Sequence, residues 1–297
     1  MALVPFDDRD GHIWWDGALI PWREAQLHVL SHGLHYASAV FEGERSYNGN
    51  IFRLRDHTDR LINSARLLGF EIPYTADQVD AACKDVLAAN GLTDAYVRPI
   101  AWRGSEQLAV SAQLTKIHLA IATWAWPKYF AASEGVRLTM ATWKRPSPET
   151  APTAAKAAGL YMIGTLSKHE AEACGYEDAL MLDWRGQVAE TTGANIFFVI
   201  NGELHTPTPD CFLDGITRRS VMALARRRQM IVIERPIMPE EMGQATEAFL
   251  AGTAAEVTPI REIDELSFTP GQITQALQKD YDALVRMTPD EVAKIAA

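Results

Sequence analysis

The chain has 297 residues, of which 47% are hydrophobic and 22% are charged, a balance typical of a globular protein. Its length predicts about two domains, and its longest apolar run, residues 119–126, is too short to cross a bilayer. The formal net charge of −10 argues against nucleic acid or anionic membrane as a partner. Three widely spaced cysteines (Cys83, Cys174 and Cys211) and an N-terminus without the apolar core of a signal peptide predict a cytoplasmic protein.

Hydrophobic periodicity and residue type predict strands and helices along the whole chain. The first part is predicted to contain, in order, strands at 13–15 and 40–47, helices at 57–68 and 77–89, and strands at 95–102 and 116–124. Residues 126–135, which include Pro127 and Gly135, are predicted to form a linker. The second part is predicted to contain a strand at 136–143, a helix at 160–173, strands at 179–183 and 195–200, a helix at 217–228, strands at 231–234 and 247–251, and a helix at 272–286. This order favours two α+β domains, residues 1–125 and 136–297.

Lys156, Tyr161 and Glu190 carry the clearest chemical signal. Lys156 is surrounded by alanines and a glycine, and an amine without competing charge can condense with an aldehyde and later move a proton. Glu190, in the stretch V-A-E-T-T-G-A-N, can keep a pyridine nitrogen protonated so that the ring accepts electrons, and the Tyr161 phenol suits the ring O3′. The set indicates pyridoxal phosphate with Lys156 as the catalytic residue, although a lysine among alanines is also typical of a solvated helix.

Two of these stretches resemble a known family. Residues 156–161 and 188–198 closely resemble the corresponding stretches of the fold type IV pyridoxal phosphate enzymes, in particular the branched-chain amino acid aminotransferases, and the likeness runs from Ile13 to about Ile263. The resemblance implies a two-domain α+β fold of the D-amino acid aminotransferase type, with the cofactor in the interdomain cleft and its lysine in the larger C-terminal α/β domain. It further implies transamination between branched-chain L-amino acids and 2-oxoglutarate, in their biosynthesis or breakdown, by at least a homodimer whose sites are completed across subunits.

Two segments can donate backbone amides to a phosphate. Residues 214–218 open a predicted helix, whose free N–H groups attract an anion, and residues 251–255 follow a predicted strand with small side chains. The resemblance carries phosphate binding over to Ile216, Thr217 and Thr253, and to Arg60. On the residues alone, the alternative is that Arg60 is a surface helix arginine that pairs with Asp56.

Tyr96 and Arg98 are the candidate substrate groups with the most specific pattern. Strand alternation places both on one face, and an arginine can bind a carboxylate through two parallel hydrogen bonds. The resemblance assigns Arg98 to the distal carboxylate of glutamate or 2-oxoglutarate. It also implies that further residues contact substrate, with Tyr36 coming from the neighbouring subunit: Tyr36, Phe41, Val110, Trp126, Tyr129, Thr253 and Ala254.

Some positions depart from the family pattern and leave the donor open. Leu160 stands where the family commonly has asparagine, Ala109 stands where a glycine is usual, and Arg103 has no clear counterpart. Because Ala109 and Arg103 lie in a loop that normally reaches the partner's active site, relaxed specificity for D-amino acids or (R)-amines, or an aminodeoxychorismate lyase activity, remains an alternative.

Three histidines define a hypothesis from another class. His28, His32 and His35 have i, i+4 and i+7 spacing, which would place them on one helical face and could support a metal-dependent hydrolase. The resemblance favours a metal-free segment instead, so no metal is expected. A non-catalytic binding protein on the same scaffold is a third alternative.

Overall fold

The protein was analysed as a computed structural model that describes residues 4–126 and 135–296. The chain divides into two compact units, one comprising Met1–Pro127 and Ala155–Gly159 and the other Lys128–Ala154 and Leu160–Ala297. Apart from its first and last residues, the predicted linker at 126–135 lies outside the described part of the chain. Within the two described ranges, no helix is both long and apolar enough to cross a membrane.

The first unit is an antiparallel sheet with helices packed on it. Its strands are β1 (His12–Trp15), β2 (Ala18–Pro21), β3 (Ala39–Phe41), β4 (Glu44–Tyr47), β5 (Asn50–Ile51), β6 (Ala95–Arg103) and β7 (Ile117–Ala125). Its helices are α1 (His32–Tyr36), α2 (Leu54–Leu67) and α3 (Ala76–Ala89). The strand order is β2-β1-β7-β6-β4-β5, and β3 also pairs with β6. Apolar side chains of α2, α3, β6 and β7 form the core, and a Thr75–Gln78 capping box begins α3.

The second unit contains a mixed sheet that closes on itself. Its strands are β8 (Val136–Met140), β9 (Asp178–Leu182), β10 (Val188–Thr191), β11 (Asn195–Ile200), β12 (Glu203–Thr206), β13 (Val232–Glu234), β14 (Glu247–Gly252), β15 (Glu256–Ile263) and β16 (Leu266–Ser267). Its helices are α4 (Met162–Ala173), α5 (Ile216–Arg227), α6 (Gln272–Leu284) and α7 (Pro289–Ala296). The order is β10-β9-β8-β15-β14-β11-β12-β13, and β10 also pairs with β11. The β10–β11 pairing closes six strands into a ring, in the order β10, β9, β8, β15, β14 and β11. These strands therefore have no free edge.

The structure differs from the sequence predictions where short or interrupted elements occur. The strand predicted at 40–47 is two strands, because Glu42 and Gly43 separate β3 from β4. The helix predicted from residue 160 begins as a 3₁₀ turn, Ala158–Tyr161, before α4. The four-residue strands β10 and β12 are too short to give a clear alternating pattern, and the pattern does not predict them.

The segment around Lys156 belongs with the first unit, whereas the resemblance implies a lysine in the C-terminal domain. The reason is local pairing, since Val40 and Ala157 form an antiparallel bridge. The N–H of Phe41 also donates a 3.1 Å hydrogen bond to the carbonyl oxygen of Lys156. These bonds attach residues 155–159 to the end of β3.

Candidate active site

Lys156 lies in a short segment whose backbone is held on both sides. Its N–H donates a 3.0 Å hydrogen bond to Ser64 Oγ on α2, and its carbonyl oxygen accepts from Phe41. The segment is not helical at Lys156, so the alternative of a solvated helix lysine is wrong. The Lys156 Nζ lies 5.0 Å from the centroid of the Phe41 ring. A fixed backbone limits where this amine can reach.

Phe41 connects the lysine to the candidate substrate groups. The Arg98 guanidinium carbon lies 4.8 Å from the Phe41 ring centroid, and Arg98 Nη2 donates a 3.1 Å hydrogen bond to the Tyr96 hydroxyl. Tyr96 and Arg98 therefore lie on one face of β6, as alternation predicts. The centroids of the Tyr96 and Trp126 rings are 4.8 Å apart. The structure thus places Lys156, Phe41, Arg98, Tyr96 and Trp126 in one contiguous group.

The Arg98 guanidinium has a buried atom that is not satisfied. Its Nε has no hydrogen-bond partner within the described residues. A buried donor without a partner is costly, because it loses its hydrogen bonds to water on folding. Since Nη2 is already bonded to Tyr96, the hydroxyl orients the guanidinium while Nε stays available. An incoming carboxylate would satisfy it.

Arg60 forms a bidentate ion pair with Glu42. Arg60 Nε and Nη2 donate to the Glu42 carboxylate at 2.6 and 2.8 Å, and His57 Nδ1 lies 2.7 Å from the same carboxylate. Burial alone would raise the pKa of Glu42, but Arg60 and His57 hold it well below its usual range. Asp56 forms an ion pair with Arg53 at 2.8 Å. Arg60 is therefore an oriented, largely buried cation, and the alternative of a surface arginine is wrong.

Tyr36 and Val110 belong to another group, organised by His32. The Tyr36 ring stacks on the His32 ring with 4.5 Å between centroids, and His32 Nε2 lies 2.9 Å from the carbonyl oxygen of Ala109. Val110 itself is 87% exposed. The contacts described for these residues do not join them to the Lys156 group. Tyr129, also a candidate substrate residue, lies outside the described residues.

Glu190 is flanked by an arginine and an asparagine. Arg145 Nε lies 3.4 Å from Glu190 Oε1, and the two side chains are only 8% and 12% exposed. Asn195 Nδ2 donates to Glu190 Oε2 at 3.3 Å and to the carbonyl oxygen of Leu213 at 3.1 Å. The ion pair and the amide hold the carboxylate in a defined position.

A row of paired residues brings the second unit's candidates to one end of the sheet. Glu190 pairs with Asn195, Asn195 with Ala251, and Ala251 with Val257 across β10, β11, β14 and β15. Thr253 and Ala254 lie in the turn that follows, between β14 and β15, and both are partly exposed. A Cβ at Gly252 would lie 3.1 Å from the Ala194 Cβ, so the backbones approach closely there.

The beginning of α5 lies beside the same asparagine. A Cβ at Gly215 would clash with Asn195 Oδ1, so any larger residue before the helix would displace the Asn195 side chain. Gly215 has no side-chain cap, which leaves the first N–H groups of α5, at Ile216 and Thr217, for an anion. Both side chains are buried, and the Thr217 hydroxyl lies 3.3 Å from the Tyr281 hydroxyl. Asn195 therefore joins Glu190 and the turn before α5.

Tyr161 occupies the boundary between the 3₁₀ turn and α4 and is partly exposed. The backbone carbonyl of its neighbour Leu160 lies 3.4 Å from Arg145 Nη1, an acceptor that any residue type supplies. Arg145 thus contacts both Glu190 and the backbone next to Tyr161. The departure at Leu160 leaves this contact intact, because it uses the main chain.

The metal-site hypothesis rests on a helical face that does not exist. Helix α1 begins at His32, so His28 lies in the preceding loop. The ring nitrogens already have protein partners: His28 Nδ1 accepts from the Leu30 N–H, and His35 Nε2 lies 2.8 Å from the Val29 carbonyl. Among the residues described, the side chains close enough to share an ion are Asp183, Asp210 and Cys211 instead. The prediction that these three histidines share one helical face is therefore wrong.

Arg145, Asn195 and Glu42 contact candidate site residues, and the sequence alone does not single them out. Arg145 and Glu42 meet their partners because strand pairing and helix packing bring distant segments together. No local spacing of residues encodes such contacts. Asn195 lies inside the V-A-E-T-T-G-A-N stretch, five positions after Glu190. A hairpin prediction around Gly193 would have placed it opposite the glutamate.

The chain belongs to the amino-transferase class IV family, whose model matches residues 39–263. The probable branched-chain-amino-acid aminotransferase of Rickettsia felis is 40% identical over 96% of this chain and 100% of that protein. The crystal structure of a branched-chain aminotransferase from Thermoproteus uzoniensis with norvaline matches with a TM-score of 0.92 and 38% identity, over 97% of this chain and 98% of that chain. The branched-chain amino acid aminotransferase from Thermobaculum terrenum, in its PLP form, matches with a TM-score of 0.88 and 33% identity, over 96% of this chain and 97% of that chain.

These comparisons confirm three predictions from the sequence. The resemblance to the branched-chain aminotransferases is confirmed by relatives that align over nearly the full chain. The two-domain α+β fold of type IV is confirmed by the structural neighbours. The prediction of an aminotransferase is confirmed by the family model together with these relatives. The roles of individual site residues stay predictions.

Proposed function

We propose that the protein is a pyridoxal phosphate-dependent aminotransferase that transfers the amino group of leucine, isoleucine or valine to 2-oxoglutarate. The observation that carries the proposal is the group formed by Lys156, Phe41 and Arg98 on a chain that aligns end to end with branched-chain aminotransferases. It places an amine and a carboxylate-binding cation beside the same aromatic ring. Such a pair suits a substrate whose amino group reacts while a carboxylate is held.

The described residues fit pyridoxal phosphate. Gly215 and Gly252 are positions where a Cβ would crowd a neighbour, so the backbone can approach an anion closely beside the start of α5. Arg60 supplies an oriented guanidinium and Glu190 an oriented carboxylate. When bound, the cofactor supplies an electron-withdrawing ring and a reactive carbonyl carbon that acidify the Cα–H bond of the donor. We assign its phosphate to Arg60, Ile216, Thr217 and Thr253.

The chain's own groups then have distinct tasks. Lys156 Nζ would accept and move the proton that leaves Cα of the donor, a role that needs a mobile amine on a fixed backbone. Glu190 holds a proton at the pyridine nitrogen, and Arg145 and Asn195 keep this carboxylate in place. Tyr161 orients the ring through O3′. If these side chains are already in position before the substrate reacts, the protein needs no rearrangement during the reaction.

Arg98 explains how one pocket accepts two kinds of substrate. Its unsatisfied Nε can donate to the distal carboxylate of glutamate or 2-oxoglutarate, while Phe41, Tyr96 and Trp126 offer apolar surface to an aliphatic side chain. An arginine in such a site distinguishes the two kinds of substrate by the hydrogen bonds that a carboxylate accepts, and not by the size of the side chain. The remaining proposed substrate contacts are Tyr36, Val110, Tyr129, Thr253 and Ala254.

We further propose that the active unit is a homodimer, or a higher assembly of dimers. The support is a set of exposed apolar side chains within two neighbouring segments of the first unit, which we name the 27–114 surface: Leu27, Val29, Leu30, Leu34, Tyr36, Leu108, Val110 and Leu114. Clustered exposed apolar residues favour association, because water is removed from them. Tyr36 and Val110 lie on this surface, so a second copy seated there would bring substrate residues across subunits. Three free cysteines favour the cytoplasm as its compartment.

The proposal is tested by the visible absorption spectrum of the purified protein before and after L-leucine, and again after 2-oxoglutarate. We expect a cofactor band that L-leucine shifts and 2-oxoglutarate restores. Lys156→Ala should lose this response, and Lys279→Ala, on the exposed face of α6, should keep it. A band that L-leucine leaves unchanged, but D-alanine or (R)-1-phenylethylamine shifts, would refute the branched-chain assignment.

A further inference from the structure

Arg103 ends β6, the strand that carries Tyr96 and Arg98, and its guanidinium ties together two segments. Nη2 donates a 2.7 Å hydrogen bond to the carbonyl oxygen of Gly69, in the turn after α2, and Nη1 donates a 3.0 Å bond to the carbonyl oxygen of Ala112. The guanidinium carbon also lies 5.3 Å from the centroid of the Phe70 ring. A planar fork with several donors can make these bonds at once, which a lysine ammonium cannot reproduce.

Arg103 and His32 hold the 104–115 loop at two points that flank Val110. His32 Nε2 contacts the carbonyl oxygen of Ala109 at 2.9 Å, and Arg103 contacts that of Ala112. The Ala112 carbonyl also accepts from the N–H and the hydroxyl of Thr115, at 3.3 and 2.7 Å. The main chain is therefore fixed one residue before Val110 and two residues after it.

This arrangement is unusual for a side chain so open to solvent. Val110 is 87% exposed, yet the main chain on both sides of it is hydrogen-bonded to side chains from α1 and β6. An exposed loop tip is normally among the most mobile parts of a protein. Two anchors around one apolar residue point to a side chain that must be presented in a defined position.

We propose that Arg103 is a positioning residue that fixes Val110 and thereby sets the enzyme's selectivity for the aliphatic side chain of its amino donor. The inference rests on the proposed function, in which Val110 contacts the donor side chain. Arg103 acts through the loop and touches neither cofactor nor substrate. Because 2-oxoglutarate is held by its carboxylate at Arg98, its binding should depend little on Val110.

The test compares Arg103→Met, Arg103→Lys, Val110→Ala and the Arg103→Met/Val110→Ala double variant. A misplaced apolar contact of about one methyl group changes selectivity roughly tenfold, so Arg103→Met should raise the KM for L-leucine about tenfold. We expect kcat and the KM for 2-oxoglutarate to stay within about twofold in the same assays. Arg103→Lys should restore part of the loss. The double variant should be no worse than the poorer single variant, because both changes remove one contact.

Amide hydrogen exchange supplies a readout that does not depend on turnover. Residues 105–114 should exchange faster in Arg103→Met than in the wild type, while β6 and β7 stay protected. The matched control is Arg66→Met, which removes an exposed arginine of the same unit whose described ion pair is with Glu71. It should change neither exchange nor kinetics.

The outcomes separate the two proposals. A wild-type protein that does not transaminate L-leucine refutes the proposed function, and the exchange experiment then still decides whether Arg103 fixes the loop. An active wild type whose Arg103→Met variant keeps the L-leucine KM refutes the inference alone. Additive effects in the double variant, or unchanged exchange of residues 105–114, also overturn it.

Discussion

At the scale of residues, Glu42 and Glu44 have opposite electrostatic environments although they are two positions apart. Both are fully buried. Glu42 has Arg60 and His57 as partners, which keep its pKa low despite burial. Burial, with the nearby Glu42 charge, raises the pKa of Glu44 well above its ordinary value, and neither carboxyl oxygen has an oxygen or nitrogen hydrogen-bond partner among the described residues. Glu42 therefore orients the Arg60 guanidinium, whereas the burial of Glu44 lowers the stability of the folded protein.

Replacing Glu44 by leucine is expected to stabilise the protein by about 1–3 kcal/mol at neutral pH, since it removes a buried carboxyl whose hydrogen-bond partner among the described residues is the Cys83 thiol, a weak donor. The pH dependence follows from the raised pKa. Folded Glu44 keeps its proton where the unfolded chain has lost it, so wild-type stability falls as the pH rises above the ordinary glutamate range. The gain in Glu44→Leu should shrink towards pH 4, as measured by urea unfolding between about pH 4 and 8.

The control for this substitution is Glu71→Leu, at an exposed position paired with Arg66. It should change the unfolding free energy by less than about 0.5 kcal/mol at any pH. A Glu44→Leu variant that is less stable than the wild type at pH 8 would show that the buried carboxyl has a partner that contributes to folding.

Glu190 is the residue whose charge is proposed to matter in the transition state. Glu190→Gln keeps the size and the bond to Asn195 but removes the charge that faces Arg145. We expect the cofactor to stay bound and kcat to fall by about 10²–10³, the usual cost of one lost electrostatic contact in a reacting site. Steady-state kinetics with L-leucine and 2-oxoglutarate measure this directly. Turnover close to that of the wild type would remove Glu190 from the mechanism.

At the scale of elements, the side chain of Asn195 links the hairpin of β10 and β11 to the start of α5. Asn195 is the first residue of β11, and it reaches both the carboxylate on β10 and the carbonyl of Leu213 before the helix. The hairpin places these groups because the residues between Glu190 and Asn195 form a tight turn. The turn is tied in place by Thr192, whose hydroxyl donates to Asp178 on β9 at 2.6 Å.

Gly215→Ala is expected to weaken cofactor binding at least about tenfold, because its Cβ collides with Asn195 and shifts the start of α5. Titration of the apoprotein with pyridoxal phosphate, followed by absorbance, gives the affinity. Gly243→Ala is the matched control, since the one described atom that a Cβ there would approach within 4 Å is Leu266 Cδ2, at 3.8 Å. Equal affinities in the two variants would mean that α5 does not hold the phosphate.

At the scale of the whole molecule, the expected homodimer depends on the 27–114 surface. Val29 and Leu34 lie on it and are exposed, so charges at these positions should not disturb the folded subunit. We expect Val29→Glu/Leu34→Glu to be monomeric, because carboxylates on both copies would lose water and repel each other. The variant should also lose most of its activity, since Tyr36 and Val110 would no longer meet a partner.

Size-exclusion chromatography with light scattering measures the assembly of this variant. Ile231→Glu provides the control, because Ile231 is an exposed apolar residue of the second unit outside the 27–114 surface. It should leave mass and activity unchanged. A dimeric and active Val29→Glu/Leu34→Glu enzyme would place the interface elsewhere.

The sequence by itself determined the family, the fold class and most long elements. Strand β11 is observed over the predicted residues 195–200, and helices α2, α3, α5 and α6 begin and end within a few residues of their predicted bounds. These elements are long and have a clear apolar period, so local pattern is enough to identify them. The motifs around Lys156 and Glu190 are also local, and they carried the resemblance.

Only the tertiary structure decided which side chains meet. The pairing of Arg60 with Glu42, the approach of Arg145 to Glu190, and the anchoring of the loop by Arg103 all depend on segments that the local sequence does not bring together. Such contacts depend on strand order and register, which arise from packing of the whole unit and not from any one stretch. The spacing of the histidines was misleading because helix α1 starts only at His32, so His28 lies outside the helix.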